Sequence, residues 1–273
     1  MEKIFISADG GCYGNFLAIL LRLAYDSNYI KENPYGLTNF ITKTGSADFG
    51  SYSSILLAYL REQGVEPWAN GETQVVIDEI VKLYNSKSFV QNSNIVHEYD
   101  VTHCHISLGH YLKLRSIEKL LSVPDLKIVY VTFEQEDCKL ISTNKITKNF
   151  DPDNCIGFSA GSTGFKNLLI QYGANEEYLQ EFDAYNGFGV ISNKLKSKLI
   201  ELWEITLRQH LLYNLQVRRV IKDDRVLLIR FDEIFKDRDQ FLNKLTKFVQ
   251  KKLNVELIDF YEEFKTAQKM YHT

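Results

Sequence analysis

Continuous apolar runs alternate with amphipathic stretches along this chain. The runs "KIFISA", "LKIVYVTF" and "RVLLIRF" are typical of parallel strands that are buried on both faces, and "DVTHCHIS" is a fourth candidate strand. Helical patterns lie between them, the longest of which is "NKLKSKLIELWEITLRQHLLYNLQVRRVI". Strands separated by helices predict an α/β fold, a three-layer sandwich in which a central parallel sheet lies between helices.

Local signals place further elements. The first helix should begin near Asn15, a residue that caps helices well. The segments "SSILLAYLREQG" and "TQVVIDEIVKLYNSK" and residues 137–150 read as helices, and two amphipathic helices close the chain. Residues 151–193 are rich in glycine and are predicted to be irregular. No linker, repeat or low-complexity tract interrupts the pattern, so we expect a single domain over residues 1–273.

Composition limits the classes of partner. The formal net charge is -3, so no global positive field favours nucleic acid or an anionic membrane as a partner. The four cysteines include no C-x-x-C pair, which suits a reducing compartment. The longest apolar stretch, "NFLAILLRLAY", is interrupted by Arg22 and is too short to span a bilayer, and no signal peptide is evident. We therefore expect a cytoplasmic protein with no membrane partner.

The stretch "FISADGGCYGNFLAIL" has the layout of a strand, a glycine-rich turn and a helix. In a parallel sheet such a turn points backbone N–H groups at an anion, and the helix dipole adds positive charge. Gly10, Gly11 and Gly14 would let the backbone approach a phosphate closely. Asn15 and Phe16 follow Gly14, so the lysine and hydroxyl of a Walker A loop are missing, as is the Rossmann glycine spacing. The pattern predicts an anion site that differs from that of a Mg-nucleotide hydrolase.

The same stretch resembles the sulfotransferase family, whose first strand leads into a loop of the type [KR]-[SC]-G-[ST]-T-[WF]-L. Cys12, Phe16 and Leu17 match the Ser/Cys, aromatic and leucine positions. Gly11 stands at the position of the basic residue, Tyr13 at that of the glycine and Asn15 at that of the threonine. In the family this loop holds the 5′-phosphosulfate of 3′-phosphoadenosine-5′-phosphosulfate.

Three later segments resemble the family in the same order along the chain. "DVTHCHIS" is similar to the strand that delivers the catalytic histidine, which points to His103. "LKIVYVTFEQEDCKLISTNKI" is similar to the signature that holds the donor's 3′-phosphate, with Ser142 as the matching serine and with Phe133 or Glu134 where an arginine is expected. "RVLLIRFDEIFKDRDQFLNKLTKFVQKKLN" is similar to the family's late strand, acidic turn and helix.

The resemblance implies a P-loop NTPase-like topology of the sulfotransferase type and transfer of a sulfuryl group to a hydroxyl or amine of a small-molecule or glycan acceptor. His103 would be the base, and no metal would be needed. A homo-oligomer is compatible with the sequence. Lys145, Lys148 or the Arg218–Arg219 pair could supply the missing positive charge. The donor would be held by the loop and by the helix serine, namely Gly10, Gly11, Cys12, Tyr13, Gly14, Asn15 and Ser142.

Several alternatives stay open. The missing basic residues favour a non-catalytic protein that keeps the fold for binding a glycan, a protein or its own copies. A transferase that uses another nucleotide donor would also explain a loop adapted to less negative charge. Histidines in the H-x-H pattern, together with a cysteine and two further histidines, make a zinc site conceivable, and Cys12 at a helix N-terminus could be a reactive thiol. The zinc candidates are His97, His103, Cys104, His105 and His110.

Overall fold

A computed structural model of the chain describes residues 2–8, 12–29, 99–104, 114–150, 159–185 and 190–272, and the helical positions 77–78, 81–82 and 84–85. The predicted helix "SSILLAYLREQG" lies outside the described residues, and "TQVVIDEIVKLYNSK" is described only at those six helical positions.

Four strands form one parallel sheet: β1 (Glu2–Ser7), β2 (Tyr99–Cys104), β3 (Leu126–Thr132) and β4 (Val226–Arg230). Their spatial order is β2-β1-β3-β4. Phe5 pairs with Ile128, and Thr132 pairs with Arg230. The predicted α/β fold with a parallel sheet is confirmed.

Burial of the strands explains why their sequences read as continuous apolar runs. Residues 4–6 of β1 and residues 128–131 of β3 are almost fully buried, which requires cover on both faces of the sheet. β4 is the exception, because Val226 and Leu228 are only half-buried. The apolar runs that form β1, β3 and β4 are all predicted to be central strands. Within the described sheet, however, β4 lies at an edge.

The described helices of seven or more residues are α1 (Gly14–Tyr25), α2 (Leu114–Leu120), α3 (Asp137–Phe150), α4 (Ser159–Gln171), α5 (Glu176–Ala184), α6 (Asn193–Val220), α8 (Arg238–Phe248) and α9 (Val255–His272), and the short helix α7 covers Glu233–Lys236. The prediction that residues 151–193 are irregular is wrong for α4 and α5. Phe165, Leu168 and Leu169 are buried at helical spacing, but the glycines and serines before them hide that period in the sequence. No helix in the described ranges is both long and apolar enough to cross a membrane.

Aromatic residues dominate the core beside α1. Phe16 on α1 stacks on Phe264 of α9 with ring centroids 4.2 Å apart, and it also contacts Phe260 and Tyr261. The Tyr261 hydroxyl donates to the Ile234 carbonyl at 2.8 Å. This packing fixes the start of α1 relative to the C-terminal helices.

Candidate functional site

The carboxyl ends of the strands meet at one edge of the sheet, because all four strands are parallel. β1 lies between β2 and β3, so these two strands are on opposite sides of β1. Such a reversal in strand order opens a crevice at the carboxyl edge, where α/β proteins bind ligands. The glycine-rich turn follows β1 at this edge.

Tyr13 has a left-handed backbone in this turn, with φ 61° and ψ 28°. For a residue with a Cβ atom this conformation costs about 1 to 2 kcal/mol, and glycine adopts it freely. The loop motif given above has glycine at this very position. The turn therefore keeps the backbone conformation that glycine favours although the residue is tyrosine.

The side chain of Tyr13 explains why this strain persists. Its ring stacks on Phe231 with centroids 5.5 Å apart and meets Phe235 and Phe264 edge-on at 5.0 and 5.7 Å. The Asn144 amide of α3 donates to the Tyr13 hydroxyl at 2.8 Å. Burial raises the pKa of that hydroxyl well above its usual value, so it stays neutral. Tyr13 is therefore held in place by α3, α7 and α9 and by the residue that follows β4.

The start of α1 is enclosed by protein, since Cys12, Tyr13, Gly14 and Phe16 are all buried. Tyr13 stands at the N-cap position but makes no capping hydrogen bond with its side chain, and the first turn of α1 carries no acidic residue. The Cys12 side chain is fully buried, and Gly14 begins α1. For Asn15 the structure describes the helical backbone, whereas Gly10 and Gly11 lie outside the described residues.

Ser142 lies on the buried face of α3, fully enclosed by protein. Its hydroxyl donates to the Cys138 carbonyl at 2.6 Å, one helical turn back. A phosphate can only accept hydrogen bonds, so it would have to compete with that carbonyl for the serine proton.

Charged residues surround the end of β3, which is hydrogen-bonded directly to β1. Glu134, two residues beyond β3, forms an ion pair with Arg218 near the end of α6. The Glu134 backbone N–H donates to Asp137 at 2.8 Å. Burial, followed by the nearby charges of Asp232 and Glu134, raises the pKa of Asp137, whereas the hydrogen bond from Glu134 acts in the opposite direction. Positive and negative groups thus meet at this end of the strand.

The other candidate cations lie in different settings. The Lys145 ammonium sits over the rings of Phe165 and Trp203, 5.9 and 5.8 Å from their centroids. Arg230 was not among the candidates, and its guanidinium lies at the end of β4, 2.7 Å from Asp232. For Lys148 the structure describes only the helical backbone, and Arg219 is exposed on α6. Arg218 is the predicted cation that the structure brings to the carboxyl end of β3.

The backbone of His103 lies in β2 and pairs with Ile6 of β1, one residue before the carboxyl end of both strands. For His103 the structure describes only the strand backbone, so the role of its side chain as base stays a prediction. His97, His105 and His110 also lie outside the described residues, and the zinc hypothesis stays equally untested.

No protein-family model matches the chain, and neither curated proteins nor solved structures contain a match.

Two features of the site escaped the sequence analysis. Asn144 was not selected, although it lies three residues after the apolar Ile141 and therefore on the buried face of α3. The pairing of Glu134 with Arg218 was also missed. The two residues are 84 positions apart, and no local pattern links them.

Proposed function

We propose that the protein is a sulfotransferase-like transferase, which binds 3′-phosphoadenosine-5′-phosphosulfate at the turn after β1 and transfers its sulfuryl group to a hydroxyl or amine acceptor. One observation carries the proposal. Tyr13 has the left-handed backbone conformation at the position where the sulfotransferase loop has glycine. Backbone strain at a residue with a Cβ atom clusters at ligand-binding turns, which favours such a role for this turn.

The strand order supports the same proposal. The turn after β1 and the turn after β3 lie side by side at the carboxyl edge, next to the reversal in strand order. In the sulfotransferase family these two turns hold the 5′-phosphosulfate and the 3′-phosphate of the donor. The backbone N–H groups at the start of α1 and the dipole of that helix would stabilise negative charge there.

The proposed reaction needs a base and stabilisation of the leaving group. The acceptor oxygen or nitrogen attacks sulfur, its proton passes to His103, and the bond from sulfur to the 5′-phosphate oxygen breaks. 3′,5′-Bisphosphoadenosine leaves with the electron pair of that bond. Histidine suits the base because its ordinary pKa lies near neutral pH.

Thermal unfolding with and without millimolar 3′,5′-bisphosphoadenosine tests donor binding. A ligand at a hundred times its dissociation constant adds about 2.7 kcal/mol of stability, and each kcal/mol raises Tm by roughly 2 to 4 °C in a domain of this size. We expect a rise of several degrees, and Gly14→Val should abolish it by blocking the approach of the phosphate. The absence of any shift with the bisphosphate, sulfate, ATP and GTP would contradict the proposal.

A non-catalytic binding protein with this architecture is the second candidate. The Ser142 hydroxyl already donates to the Cys138 carbonyl, and the Glu134 carboxylate stands where a cation is expected. If donor binding is demonstrated, His103→Asn separates the two candidates. For an enzyme the variant should lose turnover by about a hundredfold or more while the donor still binds.

A further inference from the structure

The ion pair between Glu134 and Arg218 differs from the pair that Arg208 forms on the same helix. It joins the turn after β3 to the last turn of α6, and both side chains are partly enclosed, with 38% and 31% of their surface exposed. Arg208 on the same helix pairs instead with Glu204, one turn away on the same helix surface. The local spacing of that second pair makes it an ordinary helix-surface interaction.

The ion pair of Arg218 lies beside the proposed phosphate site. Glu134 follows β3, and β3 is hydrogen-bonded to β1, whose turn is the proposed phosphate site. Neighbouring strands are about 5 Å apart, so the two turns lie within reach of one nucleotide. Arginine binds carboxylates and phosphates through the same fork of N–H donors. The Glu134 carboxylate therefore shows that the Arg218 guanidinium can bind an oxyanion at this location.

We propose that Arg218 is the phosphate-binding cation of this site, and that Glu134 occupies Arg218 as an internal competitor until a ligand phosphate displaces its carboxylate. The inference rests on the proposed nucleotide site and adds to it a residue that determines affinity. It also explains how a site without arginine at the end of β3 obtains positive charge, since α6 supplies the guanidinium from a distant part of the sequence. A dianionic phosphate attracts the Arg218 guanidinium more strongly than a singly charged anion does, so it can displace the Glu134 carboxylate.

Calorimetric titration of four variants with 3′,5′-bisphosphoadenosine and, separately, with inorganic phosphate tests this inference. Glu134→Gln removes the competitor and should tighten binding by about tenfold, whereas Arg218→Gln should weaken it by about tenfold or more. The double variant E134Q/R218Q should bind as weakly as Arg218→Gln. Arg208→Gln removes a guanidinium from the same helix and should change affinity by less than about twofold.

The design separates failure of the inference from failure of the proposed function. Equal affinity of Glu134→Gln and the double variant for both probes would overturn the inference, even if the nucleotide binds to the native protein. If the nucleotide binds to none of the proteins but inorganic phosphate binds Glu134→Gln and not the double variant, the nucleotide proposal fails and the role of Arg218 stands. If neither probe binds any variant, both fail. Circular dichroism on each variant confirms that it is folded.

Discussion

The turns after β1 and β3 lie side by side at the same edge of the sheet but are held by different forces. In the connection from β1 to α1, here the β1 turn, packing holds Tyr13, which is buried, strained in its backbone and surrounded by aromatic rings. Residues 133–136, here the β3 turn, are fixed at Glu134 by charge, through Arg218 and the hydrogen bond to Asp137.

The difference shows how one edge can combine a rigid part with an adjustable one. Aromatic packing is dense and lost volume leaves a cavity, so changes to the Tyr13 side chain should appear mainly as lost stability. Partly exposed ion pairs add little to stability, so changes in the β3 turn should appear mainly in ligand affinity and in pH dependence.

The largest effect should come from removing the Tyr13 ring. Tyr13→Ala leaves a cavity among Phe231, Phe235 and Phe264, and we expect it to lower the free energy of unfolding by about 3 to 5 kcal/mol. That loss corresponds to a fall in Tm of roughly 6 to 20 °C, measurable by calorimetry.

A comparison of Tyr13→Gly with Tyr13→Ala tests the left-handed backbone at this position. Tyr13→Gly should be more stable than Tyr13→Ala by about 1 kcal/mol, because glycine relieves the strain at φ 61°. The matched control is Phe16, which lies inside α1 in the same aromatic cluster. There the order should reverse, since glycine inside a helix is less stable than alanine by about 0.5 to 1 kcal/mol. The same order at both positions would argue against the left-handed backbone at Tyr13.

A smaller effect is expected from removing only the Tyr13 hydroxyl. Tyr13→Phe keeps the ring but leaves the Asn144 amide without this acceptor, at a cost of about 1 to 3 kcal/mol by urea unfolding. Asn144→Leu in the Tyr13→Phe background removes the buried donor and should recover part of the loss. If the double variant is no more stable than Tyr13→Phe, the loss does not come from an unpaired Asn144 amide. The hydrogen bond from Asn144 to Tyr13 would then not stabilise the contact between α3 and the β1 turn.

The smallest effect should be the pH dependence contributed by Asp137. Its pKa is raised in the folded protein, chiefly by burial, so the folded state binds a proton more tightly than the unfolded state does. Stability contributed by this group is therefore present at low pH and is lost as the pH rises from about 4 through the folded pKa. Asp137→Asn should lack that loss while keeping an oxygen acceptor for the Glu134 N–H.

Urea unfolding of the native protein and of Asp137→Asn at about pH 3 and about pH 7 tests this sign. Relative to the native protein, the variant should gain stability as the pH rises. If the variant instead loses stability relative to the native protein as the pH rises, the Asp137 carboxylate is stabilised by its neighbours. Burial and the charges of Asp232 and Glu134 would then not control the pKa of Asp137.

Much of the fold could be predicted because strand and helix signals are local. Buried parallel strands must be apolar on both faces, so β1 and β3 stand out as continuous runs, and the β1 turn was identified by its glycines and its place before α1. Prediction failed at α4, where the glycines in "SAGSTGF" suggested irregular structure but buried contacts at Phe165 and Leu169 stabilise a helix. Tertiary packing overrides a weak local propensity there.

The sequence alone determined which segments form strands and where the glycine-rich turn lies, because these features depend on neighbours within a few residues. Only the tertiary structure decided that Tyr13 is held in a left-handed conformation by Asn144 and Phe231, and that Arg218 reaches Glu134. These contacts join residues up to 218 positions apart, Tyr13 and Phe231 being the most distant. Such pairs come together only when the helices pack on the sheet, because no local periodicity encodes the distance between residues on different elements.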